Sequence, residues 1–382
     1  SALCLALFVL LPAAKSDPLC GAPLWRSLKN VQAAFGITNY AWDGDSICFS
    51  NEQTLVRFYQ GRRKTDVNGT TVWLNAPPEG SVTGGDWRLS VTDLDLLQLS
   101  ILPKEEGPVK PVLVMLDPGH GGEDDGANRA DPPIKEKDLT LALALKIGEC
   151  LTNAGLQVTF TRTNDTALAL DKRSALARKS KADLFVSIHA NFAANPDAAG
   201  AETYVLTPSG FQGTAEGSRI RGWQIGNRND YHNTLLGFSI HSQISALGQG
   251  PDRGLKRQSF SVLRETSCPA VLLEFGFLSN REEALRMLDR SWQDNRAAAV
   301  TAGILSYVKK VDALDRAVAD KRARDAESNE RWRQHLAAQA SQPAAAASNT
   351  VCSLNGATSS ITNSAAAALE PLVEFYATGQ AE

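Results

Sequence analysis

Apolar and polar positions change their rhythm twice along this chain. From about residue 24 to 103 the runs are short. Residues 28–35 have helical spacing, residues 37–42 alternate ahead of an Asp43-Gly44-Asp45 turn, and Ile47-Cys48-Phe49 and residues 54–58 read as short strands. Asn68-Gly69, set between Val67 and the apolar stretch 70–74, predicts a tight hairpin, because both central positions of such a turn need positive φ. Pro77-Pro78-Glu79-Gly80 then breaks the pattern. The prediction is a small α+β domain over 24–103.

From residue 112 to about 310 strands alternate with helices. Residues 112–116, 184–188 and 270–273 are continuous apolar runs, as in strands covered on both faces. Residues 157–161 and 203–206 are further strands. Helical spacing runs over 139–151, around 175–177, and over 235–247, 282–288 and 292–308. This succession predicts an α/β domain over 111–310, with a largely parallel central sheet flanked by helices. Gly107-Pro108 falls in the linker before it. Beyond Lys310 the chain turns polar and helical through Ala340, then low in complexity over 342–348, with a short helix expected over 365–382. The stretch 311–382 is therefore expected to be a solvated tail without chemistry.

The first residues change the picture of where the protein works. Residues 2–14 are almost wholly apolar and end at Pro12-Ala13-Ala14-Lys15-Ser16, the pattern of a secretory signal, which makes 1–16 a signal remnant with cleavage near Ser16-Asp17. The run is shorter than the roughly 20 residues a bilayer span needs. Export to the periplasm or cell wall follows as the expectation. The formal net charge of −3 argues against nucleic acid or an anionic lipid surface as a partner. Of the six cysteines, Cys4 would leave with the signal, and none of the others has the spacing of a metal knuckle. Cys20 with Cys48 is a candidate disulfide in an oxidising compartment, while Cys150, Cys268 and Cys352 are scattered.

The chemistry is expected at the strand ends, since ligands of open parallel sheets bind beyond the carboxyl ends of the strands. Asp117-Pro118-Gly119-His120-Gly121-Gly122 follows the 112–116 strand, His189 follows 184–188, and Glu274 follows 271–273. Glu136 stands just before the 139–151 helix. His120, Glu136 and His189 make a His₂Glu set, one of the known ligand sets of a catalytic zinc with an open fourth position. Water in that position has a pKa near 7, and a nearby carboxylate must take its proton and return it to the departing amine. Glu274, charged in an otherwise apolar strand, is the candidate. Each residue alone has a plainer reading, as a structural histidine or a favourable charge at a helix N-terminus; their joint placement favours the site.

The central region resembles the zinc-dependent N-acetylmuramoyl-L-alanine amidases with an α/β catalytic domain (amidase type 3). The resemblance rests on segments in family order: Leu116-Asp117-Pro118-Gly119-His120-Gly121-Gly122, Lys135-Glu136-Lys137-Asp138-Leu139, Thr161-Arg162-Thr163-Asn164-Asp165, Leu170-Asp171-Lys172-Arg173, Ser187-Ile188-His189-Ala190-Asn191, Gly200-Ala201-Glu202-Thr203-Tyr204, Arg253-Gly254-Leu255-Lys256, Val262-Leu263-Arg264 and the run from Pro269 to Asn280. It implies one zinc ion on His120, Glu136 and His189, Glu274 as the essential acid/base, and cleavage of the amide between the lactyl group of N-acetylmuramic acid and L-alanine in peptidoglycan. It also implies structural roles for Arg162, Asp165 and Arg173 beneath the site. Asn191 and the polar run around His232 are candidate substrate contacts, and His232 and His241 are expected at the surface or in the cleft rather than on the metal. Regulated relatives carry a blocking helix between the His189 and Glu274 strands. Residues 207–260 show one good helix pattern, so no such block is expected, although Glu216 or His232 could approach the metal; an unidentified envelope activator stays open as a partner. The 24–103 region bears a more diffuse resemblance to copper amine oxidase N-terminal-like domains, which generally bind no metal. Two other readings remain: a zinc hydrolase of another amide, such as a peptide bond, and a non-catalytic wall-binding protein.

Overall fold

The computed structural model describes residues 25–340 apart from residues 38, 52–53, 102–111 and 215–221. The expected signal remnant, Cys4, Cys20, the Gly107-Pro108 linker, Glu216, Cys352 and the segments 342–348 and 365–382 lie outside the described residues. The chain divides into two compact units, residues 1–310 and 311–382.

The N-terminal part of the first unit contains β1 (Trp25–Ser27), α1 (Leu28–Ala34), β2 (Tyr40–Asp43), β3 (Ser46–Ser50), β4 (Leu55–Tyr59), β5 (Lys64–Val67), β6 (Thr70–Trp73), β7 (Arg88–Ser90) and α2 (Val91–Ser100). Strands β2 to β6 form an antiparallel meander. Its tight turn is at Asn68 and Gly69, with φ of 52° and 81°, as the hairpin signal predicts. Phe49, Phe58 and Trp87 pack beneath the meander with ring centroids 5.5–6.1 Å apart. The start of α2 is fixed by buried hydrogen bonds. Ser90 Oγ accepts from the Asp93 backbone N–H at 3.1 Å, while Asp93 accepts from Ser90 Oγ (2.5 Å), Asn75 N (2.6 Å), Asn75 Nδ2 (2.9 Å) and Ala76 N (3.1 Å).

The remainder of the first unit follows as β8 (Leu113–Pro118), β9 (Asn128–Ala130), β10 (Pro133–Lys135), α3 (Glu136–Asn153), β11 (Gln157–Phe160), α4 (Leu170–Ser180), β12 (Leu184–Asn191), β13 (Ala201–Leu206), a 3₁₀ turn at Ile225–Asn229, α5 (Asp230–Ala246), β14 (Asp252–Gln258), α6 (Ser261–Arg264), β15 (Ala270–Phe277), α7 (Arg281–Met287) and α8 (Arg290–Ala340). The central sheet has the described strand order β11-β8-β12-β15-β13-β14-β6-β5-β4-β3-β2. Strands β11, β8, β12 and β15 are mutually parallel. Strand β13 runs antiparallel to β15 and pairs in parallel with β14. Val114, Leu116, Phe185, Val186, Ile188, Val271 and Leu273 are buried, so these strands are covered on both faces, as their unbroken apolar runs predict. Beyond Lys310, α8 is polar and carries i,i+4 ion pairs between Asp312 and Arg316 and between Glu327 and Arg331. No described helix is long and apolar enough to cross a membrane.

Three features differ from the expectation. First, strands β12 and β15 run on to Asn191 and Phe277, past the expected apolar runs, and His189 and Glu274 within them lie opposite each other in register. Second, α3 begins at Glu136, three residues before the first periodic apolar position. Third, Asp252-Arg253-Gly254-Leu255-Lys256-Arg257-Gln258 is a largely buried strand. Its charges hid it, and they are matched inside the protein: Glu202 accepts from Arg253 Nε at 2.5 Å and from Lys256 Nζ at 2.6 Å. Strand β14 also pairs with β6, so the meander continues the central sheet. Thr71 N donates to Asp252 Oδ2 at 2.8 Å, Trp73 Nε1 to the Arg253 carbonyl at 2.9 Å, and Arg63 to the carbonyls of Gly213 and Gln212 at 2.8 and 3.0 Å.

Removing the Asp93 carboxylate would leave several buried donors without an acceptor. Asp93→Ala is expected to lower the unfolding free energy by about 3 kcal/mol, read from the denaturation midpoint of the full chain. An unchanged midpoint would show that water replaces the lost acceptor.

Candidate metal centre and active site

The carboxyl ends of β8, β12 and β15 open into a cavity of about 770 Å³. His120 reaches it from the turn after β8, Glu136 from the first residue of α3, His189 from β12 and Glu274 from β15. One nitrogen of each histidine and one oxygen of Glu136 all lie within 4.8 Å of one another. Glu136 Oε1 is 3.1 Å from His120 Nε2 and 2.9 Å from His189 Nδ1. Glu136 is 4% exposed, and its carboxylate also accepts from Ala190 N (3.1 Å) and Ala127 N (2.8 Å). Burial pushes this carboxyl up, but hydrogen bonds and charge from His120 and His189 outweigh burial and hold it well below the ordinary carboxylate range.

The environment of His120 bears on what the triad can hold. Its Nδ1 is 2.8 Å from Asp124 Oδ2, and a carboxylate there takes the N–H of that nitrogen. The lone pair of Nε2 then faces the Glu136 carboxylate. Two such atoms at 3.1 Å attract only with a cation between them, a proton or a metal ion, and the donor types and spacing of His120, Glu136 and His189 fit a divalent metal ion. Asp124 itself is held below its ordinary range, the hydrogen bond from His120 overcoming burial. The reading of the sequence missed Asp124; its i+4 spacing from His120 within the acidic run Glu123-Asp124-Asp125 was the available signal.

The turn that carries His120 is tightly built. His120 adopts φ 62°, a left-handed conformation uncommon outside glycine. Glycines clear the space around it: a Cβ on Gly119 would stand 2.2 Å from His189 Cε1, and one on Gly126 would stand 2.6 Å from Glu136 Oε2 and from His120 Cδ2. Arginines brace the turn from below. Arg173 donates to Asp117 Oδ1 (2.8 Å) and to the carbonyls of Pro118 (2.7 Å), His120 (2.8 Å) and Leu168 (3.2 Å). Arg162 donates to the carbonyls of Pro118, Gly119, Lys137 and Asn164 at 2.7–3.1 Å. Asp117 is fully buried and also accepts from Thr161 Oγ1 at 2.6 Å and Ser187 Oγ at 2.8 Å, tying three strand ends together. Asp165 accepts from Gly122 N at 2.6 Å and Lys137 Nζ at 3.0 Å.

Glu274 lines the same cavity, partly buried, and its Oε2 has no hydrogen-bond partner among the described residues. Burial, with the charges of Glu136 and Glu202 beside it, pushes its carboxyl well above the ordinary carboxylate range. Asn191 also lines the cavity. A register shift between His189 and Asn191 re-aims the end of β12, and the Asn191 side chain donates to Glu202 Oε2 at 3.1 Å and accepts from Phe192 N at 2.8 Å. The other expected positions lie elsewhere. His232 sits on α5 with Nδ1 2.9 Å from the Tyr307 hydroxyl, outside the described lining of the cavity. His241 is neither at the surface nor in the cleft: it is 1% exposed, held between Thr203 Oγ1 (2.9 Å) and Asp252 Oδ1 (2.8 Å). Among the described residues of 207–260, Phe260 alone lines the cavity, and no described helix of that segment blocks it.

A buried carboxylate converging with two imidazoles at the carboxyl edge of a parallel sheet, facing a second glutamate, defines the class as an α/β protein with a candidate metal centre. Residues 114–306 match the N-acetylmuramoyl-L-alanine amidase family, and the chain belongs to that family. It is 34% identical over 213 residues to the uncharacterized protein YqiI of Bacillus subtilis (strain 168), a match spanning 55% of this chain and 93% of that protein. It is 32% identical over 229 residues to the N-acetylmuramoyl-L-alanine amidase AmiA of Salmonella typhimurium, spanning 54% of this chain and 79% of that one. Among solved structures, the catalytic domain of CwlV, an N-acetylmuramoyl-L-alanine amidase from Bacillus (Paenibacillus) polymyxa var. colistinus, matches at 33% identity and a TM-score of 0.44, covering 52% of this chain and 98% of that one.

A methyl group at Gly119 would displace the His189 ring. Gly119→Ala is expected to weaken binding of a divalent ion by roughly 10- to 100-fold, measured by titrating zinc into chelator-treated protein. Unchanged affinity would mean that His189 is not a ligand.

Proposed function

We propose that this chain is an exported, zinc-dependent N-acetylmuramoyl-L-alanine amidase that hydrolyses the amide between N-acetylmuramic acid and the L-alanine of the peptidoglycan stem peptide. The observation that carries the reading is the convergence of His120, Glu136 and His189 opposite Glu274, within a chain of the amidase family. Zinc held by the three ligands supplies Lewis-acid polarisation of the scissile carbonyl and a lower pKa for water. Glu136, which accepts from the Ala127 and Ala190 backbone N–H groups and stands against both imidazoles, stays ionised. Asp124 holds the tautomer of His120. Glu274 is the group placed to move a proton: Oε2, without a hydrogen-bond partner among the described residues, takes a proton from the attacking water and delivers it to the nitrogen of the departing L-alanine. Its raised affinity for protons suits the second of these steps near neutral pH.

In this reading the apolar residues 2–14 direct export to the periplasm or cell wall, and the 24–103 region is an accessory α+β module without metal chemistry of its own. Peptidoglycan is the partner, and an envelope activator remains a candidate second one.

The test is a muropeptide digest with the zinc-loaded full chain, followed by mass analysis. Release of peptides with a free L-alanine amino terminus is the expected product; cleavage within the peptide would favour the alternative of another zinc amidohydrolase. Glu274→Gln is expected to lower kcat roughly a thousandfold with zinc still bound, and His189→Ala to lose the metal. Wall binding without any product in the wild type would overturn the enzyme reading in favour of a wall-binding protein.

A further inference from the structure

Large apolar side chains that stand exposed in water usually mark a binding surface when they gather at one place. Two of them gather at this cavity. Phe192, 55% exposed, follows the last residue of β12, and Leu170, 58% exposed, starts α4 on the other wall. The backbone at Phe192 is anchored, since its N–H donates to Asn191 Oδ1 at 2.8 Å and Asn191 is in turn anchored on Glu202. Neither residue takes part in the chemistry described above.

The charges of the cavity narrow what the aromatic ring can hold. Its described carboxylates include Asp124, with a side chain 65% exposed, and Glu274. Its described cation is Arg173, whose side chain is 4% exposed and whose nitrogens all donate to Asp117 and to main-chain carbonyls. Apart from a metal ion on the triad, the described walls thus offer hydrogen-bond acceptors and apolar surface, with no Lys and no free Arg side chain available to a carboxylate. A stem peptide carries at least its C-terminal carboxylate, which these walls do not reward. A hexosamine carries hydroxyl donors and an apolar C–H face, which suit an acceptor-rich rim and an exposed ring.

Resting on the amidase reading, we infer that Phe192 is the platform for the sugar side of the scissile amide, so that the site recognises the glycan by stacking and leaves the charged part of the stem peptide in solvent. Such a contact is made equally in the ground state and the transition state, so its loss raises KM and leaves kcat in place.

The experiment uses the zinc-loaded full chain. With Glu274→Gln as the inactive background, calorimetric titration of the peptide-free disaccharide of N-acetylglucosamine and N-acetylmuramic acid, its lactyl carboxyl capped as the N-methylamide, is expected to detect binding. Phe192→Ala should weaken it roughly tenfold, and Phe192→Trp should preserve it. The free stem peptide is expected to bind more weakly than the disaccharide, with the same affinity in either Phe192 background. In the active enzyme Phe192→Ala should raise KM for intact muropeptide by a similar factor at unchanged kcat. Disaccharide affinity indifferent to Phe192→Ala, or a stem peptide that binds more tightly than the disaccharide, would overturn the inference. Failure of the parent reading looks different: the wild type would then release no L-alanine-terminated peptide from muropeptides at all.

Discussion

The Glu136 carboxylate, buried between two imidazoles, is the interaction around which the rest of this structure is arranged. A carboxylate withdrawn from water is costly unless hydrogen bonds and opposite charge replace its hydration. Here two main-chain N–H groups and two histidines do so. Three separate stretches of chain must therefore meet with little error. The device that brings them together is the parallel pairing of β8, β12 and β15, which puts their carboxyl ends on one rim. Beneath the rim, Arg162 and Arg173 donate to the main-chain carbonyls of the His120 turn, and Asp117 holds Arg173 in place, so the turn keeps its left-handed residue against the cost of about 1 kcal/mol or more such a conformation carries.

A second buried carboxylate, Glu202, extends the same logic outward. It is 2% exposed and receives hydrogen bonds from Arg253, Lys256, Tyr204 and Asn191. Through Lys256 and Arg253 it stabilises β14, a strand with little apolar content of its own. Trp73 of β6 bonds the Arg253 carbonyl and lies 5.7 Å from Lys256 Nζ. Continuous contact thus runs from the N-terminal meander, through β14 and Glu202, to Asn191 on the wall of the cavity.

Most of the catalytic fold was legible in the sequence because its strands are buried on both faces and announce themselves as unbroken apolar runs. The candidate site was legible in part for the same reason: His189 and Glu274 close or interrupt such a run, His120 stands in the turn after one, and Glu136 stands ahead of a helix. What stayed hidden depended on pairing in three dimensions. Strand β14 is disguised by charges whose partners are far away in sequence, 51 residues in the case of Arg253 and Glu202. His232 resembled a cleft residue because it lies in a polar stretch, yet the helix there turns it toward Tyr307. Phe192 carried no signal, since one apolar residue after a strand normally belongs to the core.

The pairing of β14 with β6 has a consequence for the architecture of the envelope protein this reading describes. A sheet that ended at β14 would present a row of unsatisfied main-chain donors and acceptors, open to any passing strand. The meander occupies that margin and moves the sheet's outer boundary to β2 (Tyr40–Asp43). A segment that looks in sequence like a separable module thereby serves as the lateral seal of the hydrolytic one, and whatever else it binds, it is built into the same hydrogen-bonded sheet.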